Sequence, residues 1–159
     1  MFASSVFALV AATSGIIGSL PARSAPTSGL STPIVVTSYR SSACGCCKGW
    51  LDHLRKAGFT VKDYVTDNIG SVKQRYGVPD QMQSCHTARI GGYTVEGHIP
   101  VSAIQRLLKE RPKVAGIAVP GMPLGSPGME SPFKKESYTV FTFTASGRTQ
   151  PFQAVKGDG

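Results

Sequence analysis

Three cysteines within four residues constrain this chain more than any other feature. Cys44, Cys46 and Cys47 follow an apolar, β-branched stretch over residues 34–39 and begin a pattern of apolar side chains spaced three and four apart. Such spacing is typical of one buried face of an α-helix. The sequence therefore predicts a strand over 34–39, a cysteine turn and a helix over about 46–57.

A strand-to-helix junction changes the chemistry of a cysteine. Unpaired backbone N–H groups and the positive end of the helix dipole favour the thiolate, which lowers the pKa of a cysteine there below its free value. Thiolates are soft metal ligands and nucleophiles. We therefore expect metal binding or electron exchange at this turn. The C-x-x-C spacing of Cys44 and Cys47 is that of a redox pair, while Cys47 alone could instead be a packed core residue.

The pattern after the first helix predicts an α/β domain. A second strand is expected over residues 59–65, and the helix between the two strands implies a parallel pair with a right-handed crossover. Thr66 and Asp67 should cap a short helix. The apolar face of this short helix is expected to consist of Ile69, Val72 and Tyr76.

Later signals complete the predicted order β-α-β-α-β-β-α. Gly91 and Gly92 between two apolar runs predict a two-residue hairpin, and Pro100 is suited to the first turn of a third helix. Residues 120–130 are too rich in proline and glycine for a helix. An alternating stretch within residues 130–159 predicts a C-terminal β-hairpin extension. The element order, with cysteines at the start of the first helix, is that of a thioredoxin-like domain.

The N-terminal sequence predicts export. An apolar run rich in small residues is followed by Ala22-Arg23-Ser24-Ala25, which suits a signal peptidase, although no basic residue precedes the run. The run is too short and too rich in glycine and serine for a membrane span. We expect a signal peptide over residues 1–25, a flexible linker over 26–33 and one domain over 34–159, with no membrane segment after cleavage.

The basic charge of the chain does not by itself predict a partner. The formal net charge is +8 at pH 7, but the lysines and arginines are spread thinly and are not interleaved with stacking aromatic residues. This distribution indicates a solvated basic surface rather than a nucleic-acid site, and an acidic partner remains open. The sequence also contains no glycine-rich phosphate loop and no nucleophile elbow.

Cys85 and His86 form a second set of candidate ligands. They are adjacent, so the segment could present one soft and one borderline donor. The alternative for Cys85 is a disulfide to Cys46 or Cys44, and the alternative for His86 is a loop histidine without a special role. His98 could bond only to the backbone. Neither His98 nor His53 is favoured as a ligand, and His98 is the better candidate of the two.

Two methionines are hard to explain as core residues. Met122 and Met129 lie in the stretch 120–130, which we call the methionine loop, and its proline and glycine residues deny them a regular packed surface. A thioether is a useful ligand for Cu(I) and a poor one for Zn(II). If both methionines reach the cysteines, copper is favoured over zinc. The alternative is that they fill gaps or are exposed.

Four motifs together resemble one known family. The segments Cys44–Trp50, Ser84–Thr87, Val95–Pro100 and Val119–Glu130 are similar, in order and number, to the motifs of the CopG-like family of exported bacterial copper-binding proteins. That family is known as a predicted metal-binding domain of unknown function. The resemblance covers residues 34–130.

The resemblance implies a thioredoxin-like fold, a periplasmic location and a role in copper tolerance, with copper cycled between oxidation states. It implies that the core of the site is formed by Cys44, Cys46, Cys47 and Cys85, flanked by Met122 and Met129. His86 completes the predicted ligand set.

The sequence therefore predicts an exported protein that binds Cu(I) through the cysteines while the methionine loop closes over the metal. A periplasmic protein that donates or accepts copper is the expected partner, and a copper oxidoreductase activity is left open. One alternative is a thiol-disulfide oxidoreductase that uses Cys44 and Cys47, with Cys85 as the resolving thiol. Another is a structural zinc module, which chelators would unfold.

Overall fold

The computed structural model describes residues 33–158, so the predicted signal peptide and all of the predicted linker except Pro33 lie outside the described residues. The elements follow one another in the order β1 Val35–Arg40, α1 Gly45–Lys56, β2 Thr60–Val65, α2 Ile69–Arg75, a 3₁₀ turn Asp80–Met82, β3 His86–Ile90, β4 Tyr93–Glu96, α3 Val101–Glu110, β5 Gly116–Ala118, β6 Tyr138–Phe143 and β7 Thr149–Val155.

The strands form one seven-stranded mixed sheet in the order β2-β1-β3-β4-β5-β6-β7. As the intervening helix predicts, β1 and β2 are parallel, and β3 and β4 form the predicted hairpin at Gly91 and Gly92. Both glycines have positive φ, as a two-residue hairpin turn of type I′ requires. The predicted α/β class, its element order and its C-terminal hairpin are confirmed, and the hairpin extends the sheet through β5.

The core lies mainly between the sheet and helices α1 and α3. Each helix contributes one apolar stripe, and the residues with no more than 1% exposure include Trp50, Leu51, Leu54, Ala103, Ile104 and Leu107. A smaller apolar cluster contains Ala118 and Phe143. Because Ile117 of the main core precedes Ala118 in β5, the two clusters lie on opposite faces of the sheet.

The structure corrects three local predictions. Asn68, not Thr66 or Asp67, caps α2: its side chain accepts a hydrogen bond from the Ser71 N–H at 3.1 Å. Pro100 precedes the first helical residue of α3 instead of occupying its first turn. In addition, no strand was predicted between α3 and the methionine loop, where three residues form β5. A strand of three residues is too short to be recognised from alternating apolar and polar residues.

The buried face of α2 was also predicted wrongly. The buried residue of this helix is Lys73, which is 4% exposed, whereas Ile69, Val72 and Tyr76 are only partly buried. A lysine is rarely buried without a partner, so periodicity of apolar residues could not find it. None of the helices within residues 33–158 is long and apolar enough to cross a membrane.

Candidate metal centre

The cysteine turn follows the C-terminal end of β1 and starts α1. The Cys44 N–H donates to the Ser41 carbonyl at 3.2 Å, which turns the chain, and Cys44 is the N-cap residue of the helix. Cys44 and Cys47 are joined by a disulfide, with their Cα atoms 5.5 Å apart. The two cysteines of the C-x-x-C motif are therefore paired in this structure, and these two sulfurs are not thiolates in it.

Two thiols remain free within the described residues, Cys46 and Cys85. Cys46 Sγ lies 3.4 Å from Cys44 Sγ, and the four cysteine sulfurs lie within 4.8 Å of one another. The fold thus brings Cys85, from the segment before β3, to the start of α1. A disulfide from Cys85 to Cys46 or Cys44 is not formed, so that alternative is wrong for this structure. Cys47 is fully buried, but its sulfur belongs to the cluster.

A second group of donors shares Cys85. Its sulfur lies 2.9 Å from Nε2 of His98 and 3.3 Å from Nδ1 of His86, and the three donor atoms lie within 4.8 Å of one another. Nδ1 of His98 lies 2.8 Å from the Pro127 carbonyl, which can only accept. That contact places the proton of a neutral His98 on Nδ1 and leaves the Nε2 lone pair directed at Cys85.

His86 is fully buried. Its ring stacks at a tilt on Trp50, with the centroids 4.3 Å apart, and its Nε2 has no hydrogen-bond partner among residues 33–158. Trp50 is held in turn by its Nε1–H, which donates to the Ile99 carbonyl at 2.9 Å. A buried nitrogen without a partner is costly in a purely structural residue, which favours a ligand-binding role for this cluster.

Burial shifts the ionisation of all three residues toward the neutral form. It raises the pKa of the Cys85 thiol to about 12, an effect to which the nearby Cys46 adds. It lowers the pKa of His86 well below its usual range, with His98 adding to the shift, and it also lowers the pKa of His98. Without metal, Cys85 is therefore a thiol at neutral pH, and a metal must displace its proton to bind.

The two histidines should make the metal-free protein less stable in mild acid. In the unfolded chain a histidine takes up a proton near pH 6.5, whereas the buried neutral side chains of His86 and His98 do not. Stability is therefore expected to fall as the pH drops below about 6.5, with a slope of up to about 1.4 kcal/mol per pH unit from His86. Urea unfolding at several pH values from 7.5 to 5.5 measures this slope.

The matched variant is His86→Gln, which removes the titrating ring. The stability of this variant should fall less steeply than that of the wild-type chain as the pH drops from 7.5 to 5.5. A flat profile for the wild-type chain, or the same slope in His86→Gln, would contradict the assignment of this pH dependence to His86.

The methionine loop packs directly against the first turns of α1. A Cβ added to Gly49 would lie 3.0 Å from the Gly128 Cα, and one added to Gly128 would lie 2.5 Å from the Cys46 carbonyl oxygen and 2.6 Å from the Trp50 nitrogen. The loop can approach this closely only because both residues lack a side chain. The sequence left open whether the loop reaches the helix start, and the structure places it there.

Two polar contacts hold the end of this loop. Glu130 Oε1 accepts the Gly128 N–H at 2.9 Å and lies 2.5 Å from Nε2 of His53 on α1. Both side chains are substantially exposed, so the contact orients the loop more than it stabilises the fold.

The two methionines differ in their surroundings. Met122 is 50% exposed and lines a surface cleft with Pro120, Pro123 and residues 134–138. Met129 is partly buried and follows Gly128, the residue in contact with α1. Their role as copper ligands stays a prediction, and by position Met129 is the better placed of the two.

Sequence reasoning missed three residues of this region. His98 was not favoured as a ligand, whereas it bonds to the backbone through one nitrogen and faces Cys85 through the other. Glu96 and Lys73 were not singled out, yet they form a buried ion pair beside the site, with 2.5 Å between Oε1 and Nζ. The sequence offered one signal for two of these residues: Glu96 and His98 lie within the family motif Val95–Pro100.

The donor chemistry fits a soft or borderline metal ion. Thiol sulfur and imidazole nitrogen dominate the cluster, and such donors prefer copper or zinc to magnesium or calcium. The free thiols of the cluster are partly buried, and the methionine loop contacts both α1 and His98. The fold and the site therefore define an α/β protein with a metal-binding cysteine cluster.

Comparison with known proteins gives the family. A protein-family profile described as "Protein of unknown function, DUF411" matches residues 82–129. Two solved structures described as copper resistance protein copG are 44% identical to the chain. The structure described as form 2 has a TM-score of 0.75, and the match covers 79% of this chain and 100% of the form 2 chain. The structure described as form 1 has a TM-score of 0.74, and the match covers 78% of this chain and 98% of the form 1 chain. No curated protein sequence matches significantly.

At this identity and coverage, the chain belongs to the CopG family of copper resistance proteins. The family resemblance stated from the four sequence motifs is confirmed. Copper handling through a metal-binding cysteine cluster is the function that the family and the site support together.

Proposed function

We propose that the chain is an exported, periplasmic copper-binding protein that binds Cu(I) in copper tolerance. The observation that carries this proposal is the convergence of four cysteine sulfurs within 4.8 Å of one another at the start of α1. Thiolates and thioethers are soft donors that select Cu(I) over harder ions. While the Cys44–Cys47 disulfide is intact, Cys46 and Cys85 bind the copper ion. Cys44 and Cys47 become additional ligands once the disulfide is reduced.

The neighbouring side chains complete the proposed site. His86 and His98 supply imidazole nitrogen on the Cys85 side, and Met122 and Met129 supply thioether sulfur from the methionine loop. The number of ions is proposed to be one or more per chain, because Cys85 is shared by two donor groups. A periplasmic protein that delivers or receives copper is the proposed partner.

A redox role follows from the disulfide. The dithiol form of Cys44 and Cys47 carries two electrons and two protons more than the disulfide form, so closing the bond delivers two electrons. Two Cu(II) ions accept one electron each, and both protons go to solvent. We propose that this exchange accompanies Cu(I)/Cu(II) cycling at the site.

Metal selectivity tests the copper proposal. The mature chain is reduced, reconstituted without oxygen in equal Cu(I) and Zn(II), desalted and analysed for both metals. We expect at least one copper per chain with little zinc, and a marked loss of copper in Cys46→Ser, because Cys46 is one of the two free thiols of the cluster among residues 33–158. Ser42→Ala, an exposed change in the same turn, is the matched control and should retain copper.

Zinc alone would instead support the structural zinc module, and copper retention in Cys46→Ser would overturn the site assignment. The structural zinc module also predicts that chelators unfold the protein.

The second candidate function is thiol-disulfide exchange. The Cys44–Cys47 disulfide at the N-terminus of α1 favours it, as does the predicted thioredoxin-like fold, with Cys85 as the resolving thiol. Insulin reduction separates the two functions. Rapid turnover without copper would support the oxidoreductase, whereas slow turnover together with copper retention supports the copper protein.

A further inference from the structure

A buried polar cluster lies beside Cys85 and outside the candidate ligands. Glu96, at the end of β4, is fully buried, and Lys73 from α2 is 4% exposed. Removing two charges from water is costly, so a buried ion pair is weak evidence for stability. The pair therefore requires another explanation, which its hydrogen bonds provide.

Three donors converge on the Glu96 carboxylate. Lys73 Nζ and the Ser84 N–H donate to Oε1 at 2.5 and 2.7 Å, and the Thr87 hydroxyl donates to Oε2 at 2.6 Å. Both oxygens are thus occupied, so Glu96 is not itself a ligand. Ser84 and Thr87 lie on either side of Cys85 and His86, which means that one carboxylate holds the chain on both sides of two candidate ligands.

The same segment is held by two further contacts. The Gly97 N–H donates to the His86 carbonyl at 3.0 Å, and the Ser84 hydroxyl donates to the Gly121 carbonyl at the start of the methionine loop. Gly97 has a φ of +77°, and a Cβ there would lie 2.6 Å from the Ser84 Oγ and from the Val119 carbonyl oxygen. The segment from Ser84 to Thr87 therefore has little freedom to move relative to β4.

We propose that Glu96 is a positioning residue of the metal centre, whose carboxylate fixes the segment 84–87 so that the Cys85 sulfur stays within reach of Cys46 and His98. Lys73 supports this role by compensating the charge of the buried carboxylate. The inference rests on the proposed copper site for its metal readout. The positioning itself can be measured without metal.

Two double variants isolate the hydrogen bonds from the charge. Lys73→Met/Glu96→Gln removes both charges but retains a side-chain oxygen that accepts the Ser84 N–H. Lys73→Met/Glu96→Leu removes the same charges and also removes the acceptor. Neither variant leaves an unpaired buried charge, which would destabilise the protein for an unrelated reason. Circular dichroism and thermal unfolding report whether both remain folded.

Cu(I) affinity is measured by competition with a chromophoric chelator. We expect the Leu double variant to bind roughly 10–100-fold more weakly than the Gln double variant, the usual effect of removing a residue that orients a ligand. The metal-free readout is the rate at which iodoacetamide alkylates Cys85 in a Cys46→Ser background, with the Cys44–Cys47 disulfide intact. In the Leu variant a displaced, more exposed Cys85 should react several-fold faster.

Equal copper affinity and equal alkylation rates in the two double variants would overturn the proposal. Faster alkylation in the Leu variant, with no copper bound by the wild-type chain, would retain the positioning role and overturn the proposed function instead. Should the Leu variant fail to fold, Thr87→Val takes its place: it removes the donor to Oε2 and the 3.3 Å contact of the same hydroxyl with Lys73 Nζ, but it leaves the Glu96–Lys73 ion pair in place. Unchanged alkylation of Cys85 in a folded Thr87→Val variant would also overturn the proposal.

Discussion

Replacing Cys85 by serine is expected to lower the Cu(I) affinity by at least about 100-fold, beyond the 10–100-fold typical of residues that only support a ligand. The physical reason is that Cys85 is shared by both donor groups: it lies near the sulfurs of the helix start and 2.9 Å from the His98 nitrogen. Serine has nearly the same shape but supplies a hard hydroxyl oxygen, which Cu(I) binds poorly.

Competition with a Cu(I) chelator under exclusion of oxygen measures this loss. Met82→Leu is the matched control, because it also removes a sulfur close to Cys85 in sequence. Met82 is only 7% exposed and packs in the smaller apolar cluster with Val78, Ala118 and Phe143. We expect Met82→Leu to retain wild-type copper affinity. Wild-type affinity in Cys85→Ser would remove Cys85 from the site.

Gly128→Ala is expected to be the most destabilising single-methyl change in the methionine loop. Gly128 has a φ of +86°, and the new Cβ would lie 2.5 and 2.6 Å from backbone atoms of α1. The left-handed conformation costs an alanine about 1–2 kcal/mol, and the forced backbone shift adds about 1–3 kcal/mol. We expect a loss of about 2–5 kcal/mol in the free energy of unfolding, measured by urea denaturation.

Gly121→Ala separates these two costs. Gly121 lies in the same loop with a φ of +69°, but a Cβ there has no neighbour within 4 Å among the described residues. Only the conformational cost remains, so Gly121→Ala should lose about 1–2 kcal/mol.

Copper binding should respond to the same two changes in different degrees. The shift at Gly128 should also weaken copper binding, because Pro127 next to it orients His98. If Gly128→Ala and Gly121→Ala lower the free energy of unfolding by the same amount, the close approach of the loop to α1 adds no cost, and the packing argument for Gly128 is wrong.

The sequence predicted local elements well and side-chain partnerships poorly. The strand-helix-strand start, the glycine hairpin and the helix after Pro100 all carry periodic or turn signals within a few residues. Burial of Lys73 carried no such signal, because its partner Glu96 is 23 residues away and belongs to another element. The same holds for His98: its contact with Cys85 depends on the pairing of β3 with β4, and its contact with Pro127 depends on where the methionine loop lies.

Local sequence patterns were enough to predict the α/β order, the position of three cysteines at a strand-to-helix junction and the soft character of the donors, because each depends on residues close together in the chain. Three features required the three-dimensional structure: Cys85 meets these cysteines and also His98, Cys44 pairs with Cys47, and the methionine loop lies against α1. Those contacts depend on sheet order and on close approach of backbones, which no local pattern encodes.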